Sequence, residues 1–201
     1  MIIDQKKLEI LIQGLKGRNF YNNSLEQYDT DPSVVAAISY MARLNGDIEG
    51  KSVVDPGTGN GAFAYAAAVL GAERVVAVDM DRNAIEVASQ NCKGLQVEFI
   101  NRDIRMVDGS FDTCLMNPPW GSVQRGSDLP FLDFSVRSCR KIYSIHNIKG
   151  IEYVEKFFAR HGKVVRKLKT EITIRKIYPH HQNEKDTVEA VILVTSVPQN
   201  H

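Results

Sequence analysis

Short apolar runs rich in β-branched residues alternate with helical stretches along most of this 201-residue chain. The alternation is typical of strands that lie parallel in one sheet, with the connecting helices packed on its two faces. We predict five such strands at residues 52–55, 75–79, 97–100, 111–116 and 141–145, and helices at residues 63–70, 81–91, 130–139 and 151–159.

The two ends of the chain depart from this alternation. Helices are predicted before the first strand, over residues 5–15 and 33–44. Residues 163–175 and 187–197 alternate like two antiparallel strands joined by a polar loop at residues 179–186. The expected fold is therefore α/β, with a mostly parallel seven-stranded sheet that ends in an antiparallel hairpin and carries helices on both faces. This is the layout of Rossmann-like class I methyltransferases. Because a chain of this length suits one well-buried core, we expect a single domain over residues 1–201.

Composition excludes several other classes. Hydrophobic residues make up 43% of the chain and charged residues 24%, which is close to the globular average, so disorder is not indicated. No apolar run approaches the roughly 20 residues that span a bilayer. The three cysteines, Cys92, Cys114 and Cys139, include no Cys-x-x-Cys pair. We therefore expect no metal site and no disulfide framework, and a reducing cytoplasm as the location.

Charge is distributed unevenly. Residues 1–136 hold 12 Lys/Arg and 18 Asp/Glu, a net charge of −6, whereas residues 137–201 hold 13 and 6, a net charge of +7. A basic end on a nearly neutral protein is either a phosphate-binding surface or a set of solvated, lysine-rich faces. The sequence favours neither interpretation over the other.

A glycine-rich loop follows the first predicted strand and reads Asp55-Pro56-Gly57-Thr58-Gly59-Asn60-Gly61. Such a loop between strand and helix lets a ligand lie against main-chain atoms. Its spacing is D-x-G-x-G-x-G rather than the G-x-G-x-x-G of dinucleotide sites. The carboxylate of Asp55 would repel a pyrophosphate but suits the ammonium group of a methionine moiety.

Two further acidic residues end the next strands. Asp79 can accept hydrogen bonds from both hydroxyls of a ribose, and Asp103 can contact an adenine amine while Ile104 packs on the ring. Either aspartate alone is more simply explained as a helix or turn cap. The glycine loop, Asp79 and Asp103, in this order at strand ends, favour an S-adenosylmethionine site.

The motif Asn117-Pro118-Pro119-Trp120 follows the fourth strand, at the sheet edge where open α/β folds bind ligands. An exocyclic amine is a poor nucleophile because its lone pair is delocalised into the ring. The Asn117 side-chain oxygen and the Pro118 carbonyl could each accept one of its N–H groups and aim the lone pair at a methyl group. The two prolines stiffen the backbone, and Trp120 offers a stacking face worth about 1–3 kcal/mol. Without the glycine loop, a strand terminator beside a core tryptophan would be the better explanation.

Six segments resemble the methyltransferase-like protein 5 family, over about residues 20–195. They read L-E-Q-Y-D-T-D-P at 25–32, the glycine loop at 55–61, V-D-M-D at 78–81, N-P-P-W-G at 117–121, G-S-D-L-P-F-L at 126–132 and Y-S-I-H at 143–146. The resemblance is to an archaeal-type member. It implies N6-adenine methylation of small-subunit ribosomal RNA.

The resemblance also carries site residues and a partner. The implied cofactor contacts are Gln27, Thr30, Gly57, Asn60, Ala62, Asp79, Asp103 and Ile104, to which the glycine loop adds Asp55, Gly59 and Gly61; the acceptor motif is Asn117, Pro118, Pro119 and Trp120. Pro56 stands where the family usually has an aliphatic residue and Trp120 where it has Phe. Eukaryotic members work with a small zinc-binding activator subunit, which the resemblance makes a possible partner here.

Other residues and activities stay open. His146 could line the acceptor pocket or be a structural histidine, and the loop Arg125 to Asp128 could close over a base or be an ordinary connection. His180 and His181 could contact RNA phosphates or lie in a solvated loop. Alternative functions are N5-glutamine methylation of a protein, N2-guanine methylation of RNA, and an inactive RNA-binding scaffold.

Overall fold

In a computed structural model, residues 3–17, 29–121, 125–175 and 185–198 are described. The helices are α1 (Gln5–Gln13), α2 (Pro32–Leu44), α3 (Ala62–Val69), α4 (Arg82–Asn91), α5 (Leu129–Ser138) and α6 (Ile151–His161). The strands are β1 (Ser52–Pro56), β2 (Arg74–Asp79), β3 (Val97–Asn101), β4 (Phe111–Met116), β5 (Cys139–Asn147), β6 (Lys163–Arg175) and β7 (Lys185–Ser196).

One seven-stranded sheet has the order β3-β2-β1-β4-β5-β7-β6. The five strands from β3 to β5 are parallel to one another, and β7 pairs antiparallel with both β5 and β6. The hairpin register runs from Lys163 opposite Ser196 to Arg175 opposite Lys185, with a bulge between Val164 and Arg166. The predicted fold, a parallel sheet that ends in an antiparallel hairpin, is confirmed.

Two apolar clusters lie on opposite faces of the sheet. Val53 belongs to the cluster that includes α1, α2 and α3, whereas its neighbour Val54 belongs to the cluster that includes α5 and α6. Adjacent residues of a strand point to opposite faces. The edge strand β3 has no fully buried residue, but the inner parallel strands are buried on both sides. This explains why their sequences read as continuous apolar runs.

Local capping sets the helix starts. The side chain of Asp31 accepts a hydrogen bond from the Ser33 amide and Pro32 occupies the first turn of α2, the arrangement expected of an N-cap followed by proline. Asp81 caps α4 in the same way, through the amide of Asn83. Among the described residues, no helix is long and apolar enough to cross a bilayer.

The predicted boundaries around the fifth strand were wrong. The helix was predicted to reach residue 139 and the strand to cover 141–145, but α5 ends at Ser138 and β5 runs over Cys139–Asn147 without an intervening loop. Cys139 is extended, buried and paired with Phe111, so sheet pairing overrides its place in the helical pattern. Most of the predicted polar loop at residues 179–186 lies outside the described residues, and β7 already begins at Lys185.

The parallel strands all point the same way, so their carboxyl ends meet at one edge of the sheet. β1, β2 and β4 end at Pro56, Asp79 and Met116. The glycine loop, Asp79 and the Asn117 motif follow directly at this edge, which is where open α/β sheets bind ligands.

Candidate active site

A cavity of about 410 Å³ opens at this carboxyl edge. The predicted residues on its wall are Thr30, Asp55, Gly57, Gly59, Asn60, Ala62, Asp79, Asp103, Ile104, Asn117 and Pro119. Gly61, Pro118 and Trp120 do not border the cavity, and Gln27 lies outside the described residues. The predicted cofactor residues and the predicted acceptor residues Asn117 and Pro119 therefore line the same cavity.

The glycine loop is fastened to the end of β2 by its own amides. The Gly57 and Thr58 amides donate to the Val78 carbonyl at 2.8 and 2.9 Å, and the Gly59 amide donates to Asp79 Oδ2 at 3.0 Å. Gly57 has φ 74° and a Cβ there would come within 3.0 Å of the Phe131 ring. Main-chain atoms of the loop thus form the cavity wall.

Gly61 lies beneath the loop rather than on the cavity wall. Its φ is 84°, and a Cβ there would lie 2.9 Å from the Cβ of Ala88 and 3.0 Å from its Cα. The glycine therefore lets the start of α3 approach α4 closely. It shapes the cavity through helix packing.

Asp55 is buried and braces the same loop. Its Oδ2 accepts from the Thr58 hydroxyl at 2.6 Å and from the Ala64 amide at 3.0 Å. Burial raises the pKa of Asp55 to about 7, against the lowering effect of these two hydrogen bonds. A cationic group placed beside the carboxylate would favour its charged form and lower this pKa.

Asp79 is oriented by two backbone amides. Its Oδ1 accepts from the Asp81 amide at 2.9 Å, and its Oδ2 accepts from the Gly59 amide at 3.0 Å. A carboxylate oxygen can accept more than one hydrogen bond, so these contacts fix the group without preventing it from holding ribose hydroxyls.

Asp103 combines a cap with a place on the cavity wall. Its side chain accepts from the Arg105 amide at 2.9 Å and pairs with the Arg105 guanidinium. The hydrogen bonds from Arg105 hold the pKa of this carboxyl below its usual range. Ile104 follows it and is buried, which places an apolar side chain next to the carboxylate at the wall.

Asn117 begins the acceptor part of the cavity, directly after β4. Its Nδ2 donates to the Thr30 hydroxyl at 2.9 Å, and its Oδ1 accepts from Trp120 Nε1 at 3.1 Å. Pro118 is buried, and Trp120 packs against the apolar cluster that includes α1, α2 and α3. Thr30, expected among the cofactor contacts, is thus hydrogen-bonded to Asn117, the first residue of the predicted acceptor motif.

Several wall residues were not predicted as site residues. Gly126, Ser127, Pro130 and Phe131 line the cavity from the start of α5. Gly126 and Ser127 were predicted only within a loop that could close over a base, and Pro130 and Phe131 only at the start of a helix, although the G-S-D-L-P-F-L resemblance includes all four. The cavity is also lined by Asp29, Thr58, Val78 and Met80, which lie within the segments of the family resemblance but were not predicted as site residues, and by Phe63, Arg102 and Arg105, for which the sequence carries no comparable signal.

His146 is a structural histidine. It is buried, its Nε2 lies 2.8 Å from the Ser144 hydroxyl, and its ring meets the Phe158 ring edge-on. Burial lowers the pKa of His146 to about 3, so it is neutral at physiological pH. It does not border the cavity. Arg125 is exposed, and His180 and His181 lie outside the described residues.

Comparison with known proteins gives one match that is limited to part of the chain and others that cover nearly all of it. The family described as ribosomal protein L11 methyltransferase (PrmA) matches residues 30–113, a segment that holds the glycine loop, Asp79 and Asp103 but ends before Asn117. The rRNA N(6)-adenosine-methyltransferase Mettl5 of Drosophila melanogaster is 33% identical over 195 residues, which cover 90% of this chain and 91% of that protein.

The chain belongs to the methyltransferase-like protein 5 family. An uncharacterized protein of Methanocaldococcus jannaschii is 32% identical over 206 residues, 95% of this chain and 93% of that protein. The crystal structure of a proposed RNA methyltransferase from Pyrococcus horikoshii superposes with a TM-score of 0.91 at 32% identity, covering 98% of this chain and 99% of that one. Full-length archaeal relatives accord with an archaeal-type member. The fold is that of class I methyltransferases, and the cofactor is S-adenosylmethionine.

Proposed function

We propose that this protein transfers a methyl group from S-adenosylmethionine to the N6 amine of an adenosine in small-subunit ribosomal RNA. The observation that carries the proposal is the single cavity that joins the cofactor loop to Asn117. The full-length relative named as an rRNA N(6)-adenosine-methyltransferase supports the same acceptor.

The cofactor half fits S-adenosylmethionine chemically. Asp79 at the end of β2 suits the ribose hydroxyls, and Ile104 beside Asp103 suits an adenine ring and its amine. The main chain of the glycine loop and the carboxylate of Asp55 suit the methionine end. When bound, the sulfonium supplies an activated methyl group, so alignment is the main task left to the protein.

In the acceptor half, the Asn117 side-chain oxygen on the cavity wall accepts one N–H of the target amine. The two consecutive prolines stiffen the backbone beside it. Trp120 does not border the cavity, so it supports the motif through Asn117 rather than as a stacking face. The amine proton becomes acidic as the new N–C bond forms and leaves to solvent. This route requires neither a metal nor a strong base.

Two other acceptors compete with adenine. Glutamine N5 and guanine N2 are also planar nitrogens that an N-P-P-aromatic motif can hold. The match to the L11 methyltransferase family ends at residue 113, so it bears on the cofactor and not on the acceptor. The Mettl5 protein of Drosophila melanogaster, aligned over 90% of this chain, favours adenosine in rRNA.

The test is incubation of the protein with ribosomal RNA and methyl-labelled S-adenosylmethionine, followed by mass spectrometry of the nucleosides. We expect N6-methyladenosine as the labelled product from small-subunit rRNA. Labelled N2-methylguanosine, label confined to protein, or no label in any fraction would each contradict the proposal.

The RNA contact surface is proposed at the β6 edge of the sheet. Lys156 and Arg160 are exposed on α6, and Lys163 and Lys169 are exposed on the edge strand β6. Tyr153, 51% exposed at the start of α6, lies toward the carboxyl edge because β5, which precedes this helix, ends there. Tyr153, Lys156, Arg160 and Lys169 form the α6–β6 basic surface, and its three cations suit a phosphate backbone.

A zinc-binding activator subunit is proposed at the opposite edge. β3 is the outermost strand there, and no described strand pairs with its outer side. Val97, Phe99 and Ile100 are half-buried, and Met106 beyond the strand is 67% exposed. A small partner that adds a strand to β3 would cover this apolar edge. Copurification of such a subunit, and its loss on Phe99→Glu, would test the site.

We also propose that residues 1–201 act as one domain and that the protein works in the cytoplasm, where its three cysteines stay reduced. Cys92, Cys114 and Cys139 are buried and free, so none is needed as a disulfide. Limited proteolysis that yields one resistant core of nearly full length would support a single domain.

A further inference from the structure

The Asn117 side-chain amide is held at both ends. Thr30 Oγ1 accepts from Nδ2 at 2.9 Å across 87 positions of sequence, and Trp120 Nε1 donates to Oδ1 at 3.1 Å. What these two partners do for the reaction rests on the proposed function, in which Asn117 accepts an N–H of the target amine.

The two partners differ in what they can impose. A threonine hydroxyl both donates and accepts, whereas an indole N–H only donates. If the amide turned over, Oδ1 would face Thr30, whose hydroxyl could rotate and donate to it. Nδ2 would then face the Trp120 N–H, donor against donor. Thr30 therefore tolerates both orientations of the amide, and Trp120 excludes one of them.

The orientation decides whether Asn117 can serve an amine acceptor. An exocyclic amine offers N–H donors, and only the oxygen of the amide can receive them. An amide oxygen has two lone pairs, so a hydrogen bond from Trp120 is compatible with a second one from the amine. With the amide reversed, two N–H groups would oppose each other at the reacting nitrogen.

The position of the indole accords with action through Asn117. Trp120 does not border the cavity, and it packs against the apolar cluster of Leu8, Ile38 and Leu115. The cluster fixes the ring, and the ring presents Nε1 to the amide from outside the cavity. We propose that Trp120 is a positioning residue: its indole N–H sets the Asn117 amide so that Oδ1 is presented to the acceptor amine.

The chain has one tryptophan, which allows a sharp test. Growth of a tryptophan auxotroph on benzothienylalanine, in which sulfur replaces the indole N–H, changes Trp120 alone and keeps its shape. A neutral hydrogen bond is worth about 0.5–1.5 kcal/mol, so kcat for methyl transfer is expected to fall roughly three- to tenfold. The KM for RNA and the Kd for the cofactor should stay within about twofold.

Trp120→Phe is the second variant, since it keeps an aromatic ring and removes the donor. We expect the same fall in kcat with the melting temperature little changed. Wild-type kcat in both variants would overturn the proposal. A raised KM for RNA at unchanged kcat would also overturn it, because it would show that the ring contacts the RNA.

A readout independent of activity separates this proposal from the proposed function. The single indole N–H gives one resonance in a proton–nitrogen spectrum. We expect it to be protected from exchange, and to lose that protection in Asn117→Ala. If the protein labels guanine or protein instead of adenosine, the proposed function fails, and the Trp120 comparison is made on the acceptor that is labelled. An indole resonance that Asn117→Ala does not change would overturn the positioning role by itself.

Discussion

In the cofactor half of the cavity, at residues 55–62, 79 and 103–104, the glycine loop bonds to the end of β2 across about 20 positions, whereas the acceptor half joins Thr30 to Asn117 across 87 positions. Asp55 bonds within nine residues, and Asp103 bonds two residues away. The L11 methyltransferase family matches residues 30–113, a range that holds the cofactor half and ends before Asn117. The predicted cofactor residues are thus joined through neighbouring strands, while the predicted acceptor residue depends on a contact between more distant parts of the chain.

Asn117→Ala should strongly reduce the rate of methyl transfer while cofactor binding is retained. The substitution removes the oxygen that receives the target amine, a loss that costs about 100- to 1,000-fold in kcat where such a contact aligns the reacting group. Cofactor affinity should stay within a few-fold, because the cofactor loop is fastened to β2 and not to Asn117. Single-turnover kinetics measures the rate of methyl transfer, and calorimetry measures the cofactor affinity. Undiminished turnover would refute the role of Asn117.

Asp55 should make the cofactor half sensitive to pH in the absence of cofactor. Its folded pKa is raised from 3.8 to about 7, so the folded state binds the proton more tightly than the unfolded state. The resulting stability is present below about pH 4 and is lost as pH rises toward 7. His146 has its pKa lowered to about 3. Its contribution to stability is therefore present above about pH 6.5 and is lost as pH falls toward 3.

Asp55→Asn isolates the first of these two effects. The difference in unfolding free energy between the variant and the wild type should increase in the variant's favour from pH 4 to pH 7, by a few kcal/mol. Denaturant melts across that range measure it, with His146→Gln as the control for the opposite slope. A difference that does not change with pH would show that the buried carboxyl has an ordinary pKa.

Asp79→Asn should weaken cofactor binding and leave RNA binding intact. The Gly59 and Asp81 amides bond to different oxygens of Asp79, so an asparagine can accept from only one of them and turns its NH2 toward the other. It also loses the charge that strengthens hydrogen bonds from two ribose hydroxyls. We expect the cofactor Kd to rise about 100-fold. RNA affinity should stay close to wild type in a filter-binding assay. A parallel loss of both affinities would mean that the two halves are coupled.

The two halves also differ in how far the sequence predicts them. The glycine loop, Asp79 and Asp103 could be placed because strand ends and caps are local signals. The bond between Thr30 and Asn117 could not, because no pattern in the sequence shows which residue meets Asn117 from 87 positions away. A stacking role was likewise predicted for Trp120, and nothing in the sequence showed that its indole N–H donates to Asn117. The wall formed by Ser127 and Phe131 depends on how α5 packs over the loop.

Gly61→Ala should destabilise the cofactor half through helix packing. The added Cβ meets Ala88 at 2.9 Å, and the backbone has φ 84°, so strain and a clash both act. We expect a loss of about 2–3 kcal/mol in unfolding free energy. Gly46→Ala is the matched control, since Gly46 has φ 77° but no atom near its Cβ position. The clash is the difference between the two variants, and equal losses would show that it is absent.

Reversing charge on the α6–β6 basic surface should have the smallest effect of these variants and should change RNA binding without changing cofactor binding. Lys156→Glu with Lys169→Glu removes two exposed cations that we expect to lie near RNA phosphates. The KM for RNA should rise about tenfold at moderate salt, and the salt dependence of binding should fall by about one unit of slope for each lysine. Cofactor affinity should not change. Lys93→Glu is the control, since Lys93 is an exposed lysine just after α4.

Lysines on an edge strand also prevent edge-to-edge pairing. If that is their whole role, the double variant will aggregate more readily while its KM for RNA and its salt dependence match those of the Lys93 control.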